Sequence, residues 1–325
     1  VFDHVSMKYR RGYRLLTLGW SDGNSFLPIS GRLLASGDEK KVIGPRNEVD
    51  KRSLAGKRRK QATGKAPDVM VEMLKAALRA GHRARYVLFD TWFANPHQIV
   101  AIKDMGLDTI AMVKKSSRIT YEFEGKRMNS RQIFKQSKKR RGRSRYLLSA
   151  EILVGKDDGA NEHPIPARLV YVRNRNNRKD WIAFLSTDTS LEPEEILRIY
   201  GKRWDIEVFF KACKSTLLLT KGYHGLSYDA LTAHIAIVFV RYMLLAVAKR
   251  DNEDERTLGE LFYLMVGEVA DLSFNESMLL IVSAMMDAVK DTFQLTDTQV
   301  NVLLERFLGN LPEHLRRSLQ PHLAA

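Results

Sequence analysis

One stretch, Tyr200-Gly-Lys-Arg-Trp-Asp-Ile-Glu-Val-Phe-Phe-Lys-Ala-Cys-Lys214, constrains the fold most strongly. Glu192-Pro-Glu-Glu195 before it is a helix start, with Pro in the first turn and carboxylates near the positive end of the dipole. At about 100° per residue, Ile199, Ile206, Phe209, Phe210 and Cys213 share one apolar face. Tyr200, Arg203, Glu207 and Lys214 share a separate wedge roughly 60° wide, with Lys211 at its edge. A helix of this kind needs a core on one side. It also carries one carboxylate among three basic groups and a phenol, at the border of that core. The plainer reading of Arg203 and Glu207 is a surface ion pair one turn apart.

The pattern Tyr-x2-Arg-x3-Glu-x6-Lys resembles the Tyr-Arg-Glu-Lys signature of bacterial insertion-sequence transposases of the DDE superfamily, with Tyr200, Arg203, Glu207 and Lys214 at the four positions. A second segment matches in the right order. Arg85-Tyr-Val-Leu-Phe-Asp90 reads as a short buried strand ending in a carboxylate. Asp90-Thr-Trp-Phe-Ala-Asn-Pro96 is similar to the segment around that family's second catalytic aspartate. Taken alone, a strand-end aspartate such as Asp90 is more often a turn or N-cap residue.

The resemblance implies an α/β, RNase H-like fold: a mixed sheet with helices on both faces, interrupted by a β-rich insertion and followed by a helical C-terminal region. It implies phosphoryl transfer on DNA with two Mg²⁺ or Mn²⁺ ions about 4 Å apart. Hard cations of this kind take carboxylate oxygens, so Asp90 and Glu207 are the implied catalytic and metal-binding residues. Tyr200, Arg203, Lys211 and Lys214 are the implied phosphate contacts. The implied partners are transposon ends and target DNA, with a homodimer in a synaptic complex and no membrane. The implied setting is the bacterial cytoplasm, at the nucleoid. The resemblance also requires a first aspartate, on a strand before the first hairpin. That hairpin begins near Tyr13, so the strand is expected upstream of Val1, and the chain is expected to be N-terminally incomplete and impaired. Asp3 and Asp22 are poor substitutes.

Charge supports a polyanionic partner. The 325 residues carry 53 Lys and Arg against 38 Asp and Glu, a net charge of +15. Residues 251–325 hold 13 acidic and 5 basic side chains, so the first 250 residues carry about +23. Apolar side chains make up 44% of the sequence, enough for a substantial core. The single cysteine, Cys213, excludes a disulfide framework and a cysteine zinc site within one chain, in keeping with a reducing compartment. The apolar run Ala230–Ala248 is interrupted by His234 and Arg241 and reads as a buried helix rather than a membrane span.

In chain order, 13–20 and 25–34 read as a β-hairpin, with Pro28 marking an edge or bulge. Residues 39–67 read as a long basic loop, in which Lys57, Arg58, Arg59 and Lys60 are candidate phosphate contacts. A helix is expected over 68–80, N-capped by Asp68 and stopped by Gly81. Strand 85–90, helix 97–105 and strand 108–113 form a βαβ unit with a parallel pair. The expected divisions are 1–118 for the first part of the catalytic core, 119–190 for the β-rich insertion, 191–250 for the key helix and the rest of the core, and 251–325 for the helical end. Basic tips at 138–145, including Arg140 and Arg141, and at 173–179 suit phosphate contacts. Trp92 and Trp181 read as core residues or as stacking platforms for an unpaired base. His82, His97, His224 and His234 lack the spacing of a metal cluster. Two other readings stand beside the transposase: a non-catalytic DNA-binding remnant, and a general RNase H-like nuclease without strand transfer.

Overall fold

The computed structural model describes residues 2–3, 7–9, 12–36, 49–140, 144–156, 163–177, 179–221, 223, 225, 227–251, 258 and 274–311. The chain divides into two compact units, Val1–Glu253 and Asp254–Ala325. In the second unit, helices α8 (Phe274–Phe293) and α9 (Asp297–Asn310) are described, α9 with a Thr296–Gln299 capping box. Of the expected helical end, residues 252–257, 259–273 and 312–325 lie outside the described residues.

The first unit opens with a short antiparallel pair, β1 (Phe2–Asp3) with β2 (Lys8–Tyr9). The expected hairpin follows as β3 (Arg14–Ser21) and β4 (Phe26–Leu34). Its register shifts at Leu18/Gly19, opposite Pro28, which cannot donate to a regular ladder. Gly19 is required there: a Cβ would stand 2.1 Å from the Phe26 ring.

The expected long loop instead contains helix α1 (Leu54–Ala62). Ser53 caps it by accepting a hydrogen bond from the Gly56 N–H. Lys, Arg, Gln and Ala are good helix formers. The helix shows no apolar stripe because its fully buried positions are Gly56 and Ala62. Helix α2 (Ala66–Arg79) begins two residues before the expected start. Pro67 sits in its first turn and Lys65 occupies the cap without a side-chain bond. Asp68 is therefore a first-turn acid facing the dipole, not the cap. Gly81, at φ +88°, ends the helix as expected.

Strand β5 (Tyr86–Phe89), helix α3 (Pro96–Asp104) and strand β6 (Asp108–Met112) make the expected parallel unit. Strands β7 (Tyr121–Phe123) and β8 (Lys126–Met128), helix α4 (Ser130–Gln136), and strands β9 (Leu148–Val154), β10 (Ile165–Arg173) and β11 (Trp181–Ser186) follow. All join one seven-stranded sheet in the order β5-β6-β11-β10-β9-β7-β8. Strand β11 lies antiparallel to β6, so the strands of residues 119–190 extend the sheet that carries Asp90.

Alternation along the strands separates two faces. Ala111, Leu169, Tyr171 and Leu185 pack with Leu74 of α2, Ile99 of α3 and Ile133 of α4. Ile110, Val170 and Phe184 pack with Ile196 and Ile199 on the opposite face. A mixed sheet with helices on both faces is the RNase H-like α/β architecture.

The stretch expected as one helix is two helices joined by a tight turn. Helix α5 (Pro193–Gly201) passes through a 3₁₀ turn, Lys202–Trp204, into α6 (Asp205–Ser215). Phe209 and Cys213 are fully buried, as the apolar face requires. Phe209 stacks on Phe26, Phe239 and Tyr242 at ring separations of 5.2, 5.3 and 4.8 Å. It thereby ties α6 to β4 and to the long helix α7 (Tyr228–Asp251). Helix α7 departs from the expectation of a buried helix. Val238, Phe239, Tyr242 and Leu245 are buried, but Ile237, Val240, Leu244 and Val247 are exposed. It is long and apolar enough to cross a membrane by length and composition alone.

Candidate active site

The site assembles where β5 ends against the α5–α6 junction. Asp90 is the first residue after β5. Its Oδ1 accepts the Trp92 N–H at 2.9 Å, so it serves as a turn residue while its carboxylate stays exposed. Tyr200 lies near the end of α5, its ring 4.6 Å from Phe184 on β11. The phenol oxygen is enclosed and makes no hydrogen bond of ordinary geometry. Its pKa is raised, first by burial and then by the negative charge of Asp90, while Arg203 opposes the shift. The same phenol is thus in electrostatic reach of a carboxylate on the sheet and a guanidinium on the helix turn.

Arg203 is the hinge of the group. Its Cζ lies 5.9 Å from the Tyr200 ring centre. Its Nη1 donates to Glu207 Oε1 at 3.1 Å, the ion pair that the i, i+4 spacing predicts. The side chains are 22% and 48% exposed, so the wedge is half-buried at Arg203 and opens outward at Glu207. Lys211 and Lys214 continue outward as exposed side chains. The Lys214 ammonium sits 5.7 Å from the Phe210 ring rather than beside Glu207. The 3₁₀ turn does not disperse the motif. Tyr200, Arg203 and Glu207 remain together, and the charge of Asp90 reaches Tyr200 from the end of β5.

The supports of this group were not visible in the sequence. The Ser21 hydroxyl at the end of β3 donates to Asp205 Oδ2 at 2.7 Å, which fixes the start of α6. Arg85 and Tyr86 both donate to Asp188 Oδ2 at 2.9 Å, anchoring the start of β5. Burial pushes the Asp188 pKa up, but the bonds from Ser190, Tyr86 and Arg85 prevail and hold it down. These partners lie 102 to 184 residues apart, beyond any local pattern.

The other expected DNA contacts divide. Lys57, Arg58 and Lys60 are exposed along α1. Arg59 is turned inward: it is 15% exposed and donates to Asp229 at 2.7 Å. It fastens α1 to α7 and has no free charge to offer a phosphate. Arg140 is exposed, with its guanidinium 4.5 Å from the Tyr146 ring. It lies between α4 and β9 and not at a hairpin tip; Arg141 lies outside the described residues. Residues 173–179 do join β10 to β11. Trp181 is packed among Tyr171, Phe134 and Lys115. Trp92 is 62% exposed beside Asp90, so its aromatic face is not a core surface.

His234 bonds the Leu218 carbonyl, and His224 lies outside the described residues. Asp22 accepts the Asn24 and Ser25 N–H groups and pairs with Arg250 at 2.8 Å. Among the described residues, no group of three or more His, Cys, Asp or Glu side chains comes together. Asp90 and Glu207 therefore do not by themselves make the donor set that a pair of hard divalent ions requires.

A family model described as a transposase DDE domain matches residues 56–244, more than half of the chain. The matched span contains Asp90, Tyr200, Arg203, Glu207 and Lys214. No curated protein matches the chain.

Proposed function

The chain belongs to the transposase DDE-domain family, and on that premise we propose that it cuts and joins DNA strands at insertion-sequence ends. In this reading it is a member of the Tyr-Arg-Glu-Lys group of bacterial transposases and works in the cytoplasm at the nucleoid, as a homodimer that pairs two ends. Asp90 and Glu207 are its catalytic carboxylates. The observation that carries the reading is the grouping of Tyr200, Arg203 and Glu207 at the α5–α6 junction, with Asp90, from the end of β5, in electrostatic reach of Tyr200.

Each side chain has a task that follows from its setting. Arg203 is pre-set by Glu207 and presents a fork suited to two phosphate oxygens. Its charge stabilises the pentacoordinate phosphorus that forms during attack. The enclosed Tyr200 hydroxyl can donate to a phosphate oxygen brought between it and Arg203. Lys211 and Lys214 extend the positive track along α6, and Lys57, Arg58 and Lys60 offer further phosphate contacts. Trp92 offers a face on which an unpaired base at the cut end can stack. Mg²⁺ or Mn²⁺, when bound, would supply an activated oxygen nucleophile and shield the leaving group. A complete ion pair needs at least one further carboxylate beside Asp90 and Glu207.

The test is a cleavage assay on a labelled insertion-sequence end with either metal. Asp90→Asn and Glu207→Gln are expected to abolish metal-dependent cutting while DNA binding persists. Cutting that survives in both variants would defeat the assignment. The shortfall of carboxylates specifically favours a second reading, a DNA-binding remnant without turnover. That reading predicts salt-dependent binding, no cutting by the parent, and no change on Glu207→Ala.

A further inference from the structure

Helix α7 is tied to its surroundings at both ends and packed along one side. Arg59 of α1 pairs with Asp229 in its first turn at 2.7 Å. Asp22, in the β3–β4 turn, pairs with Arg250 in its last turn at 2.8 Å. Val238, Phe239, Tyr242 and Leu245 are buried, with Phe239 and Tyr242 against Phe209 of α6. The rotation of the helix about its own axis is therefore fixed, and so is the side that it turns outward.

That outward side is apolar. Ile237, Val240, Leu244 and Val247 are 58%, 49%, 66% and 47% exposed. Exposed Ala233 extends the row toward the start of the helix. From Ala233 to Val247 the successive spacings are four, three, four and three residues. These are the a and d positions of a heptad, the pattern by which one helix packs along another. The row is about 21 Å long by the rise of a helix. A lipid surface asks instead for a broad apolar face rimmed by many basic residues. Exposed apolar rows of this regularity mark interaction surfaces.

The fitting occupant is thus a helix with an a/d seam of its own, and α7 of a second copy supplies one. Antiparallel pairing about a two-fold axis sets Ile237 against the partner's Val247 and Val240 against the partner's Leu244. Each layer then joins a larger side chain to a valine. The same sense places the positive end of each helix dipole beside the negative end of the other. Beside the seam, Ala236, Val240 and Met243 line a groove of about 340 Å³ whose other wall is Pro28–Gly31 of β4. A facing helix finds a socket there as well. Covering seam and groove edge in both copies removes on the order of 1,000 Å² from water, the lower bound for a specific interface.

We propose that the outward face of α7 is a homodimer interface, in which two copies of the chain pair α7 against α7 in antiparallel sense without DNA or metal. Such a dimer carries two copies of the Arg203 and Glu207 site in one particle before any DNA end arrives. That use of the dimer rests on the strand-cutting function proposed above. The pairing of the helices does not.

The test is sedimentation of the full chain, free of DNA and metal, from about 0.1 to about 100 μM. A monomer–dimer equilibrium is expected, with a Kd on the order of 1 μM for an interface of this size. Leu244→Glu and Ile237→Glu each place a charge in the seam and are expected to weaken it by about a hundredfold or more. Mixed Val240→Cys and Leu244→Cys chains are expected to cross-link on oxidation, and either variant alone is not, because only the antiparallel register brings the two positions together. The native Cys213 is buried and does not compete. The cysteine chains keep the test open if a glutamate variant fails to fold. A chain that stays monomeric throughout, a dimer that both glutamate variants leave intact, or single cysteine variants that cross-link as readily as the mixture would overturn the proposal. Monomers that float with anionic phospholipid vesicles would overturn it in favour of a lipid surface. A dimer that never cuts DNA would leave the interface standing and defeat only the strand-cutting reading.

Discussion

Tyr200 holds its hydroxyl in an enclosed place beside the Arg203 guanidinium, without a hydrogen bond of ordinary geometry. A buried hydroxyl without a partner is unfavourable by about 1–3 kcal/mol, which makes sense if the partner is a phosphate that arrives with DNA. Tyr200→Phe should therefore leave thermal stability equal or raise it by about 1 kcal/mol while weakening cleavage. A clear fall in melting temperature would mark the hydroxyl as structural. Arg203→Ala should lower the cutting rate by about a hundredfold or more, because it removes charge aimed at the transition state. DNA-binding affinity measured alongside should change much less. The grouping of Tyr200, Arg203 and Glu207 was legible from spacing alone, since i, i+3 and i, i+4 neighbours meet on any helix. The approach of Asp90 to Tyr200 spans 110 residues of chain and was legible only through the family resemblance. The inward turn of Arg59 was not legible, because four consecutive basic residues look alike until a helix fixes which one meets Asp229.

Elements differ in how openly the sequence declares them. The β5–α3–β6 unit and the hairpin were readable because apolar runs there are bounded by turn residues. Helix α1 was not, because it buries a glycine and an alanine and shows no apolar period. Its Ser53 cap is one of its supports, and Ser53→Ala should destabilise it by about 1 kcal/mol, read as a lower unfolding midpoint. The exposed half of α7 escaped the reading because a helix apolar all round does not reveal which side is covered. Phe209 locks α6 against β4 and α7, so Phe209→Ala should cost about 3–5 kcal/mol and weaken cutting by loosening Glu207. The hairpin turn between β3 and β4 is also tied to α7 through Asp22 and Arg250. Backbone N–H groups of Ser25 and Asn24, with Arg250, bring the Asp22 pKa down from 3.8 to about 2. A depressed carboxylate pKa contributes stability above the unfolded value and loses it as pH falls through the folded one. Asp22→Asn should thus melt below the parent at pH 6, and the difference should close between pH 4 and pH 2.

At the scale of the molecule, charge and topology make separate statements. The basic excess of residues 1–250 predicts binding to DNA that weakens steeply with salt. Replacing both Lys57 and Lys60 by Ala should reduce the slope of log affinity against log salt by about two. The class of fold was legible from the alternation of strand and helix patterns. The strand order was not, because nothing local records that β11 returns beside β6. The most direct test of the whole account is nicking of supercoiled plasmid with Mn²⁺ by the chain and by its Glu207→Gln variant. The account predicts nicking by the chain that Glu207→Gln abolishes while plasmid binding persists. No nicking by the chain, or nicking that survives Glu207→Gln, would contradict it.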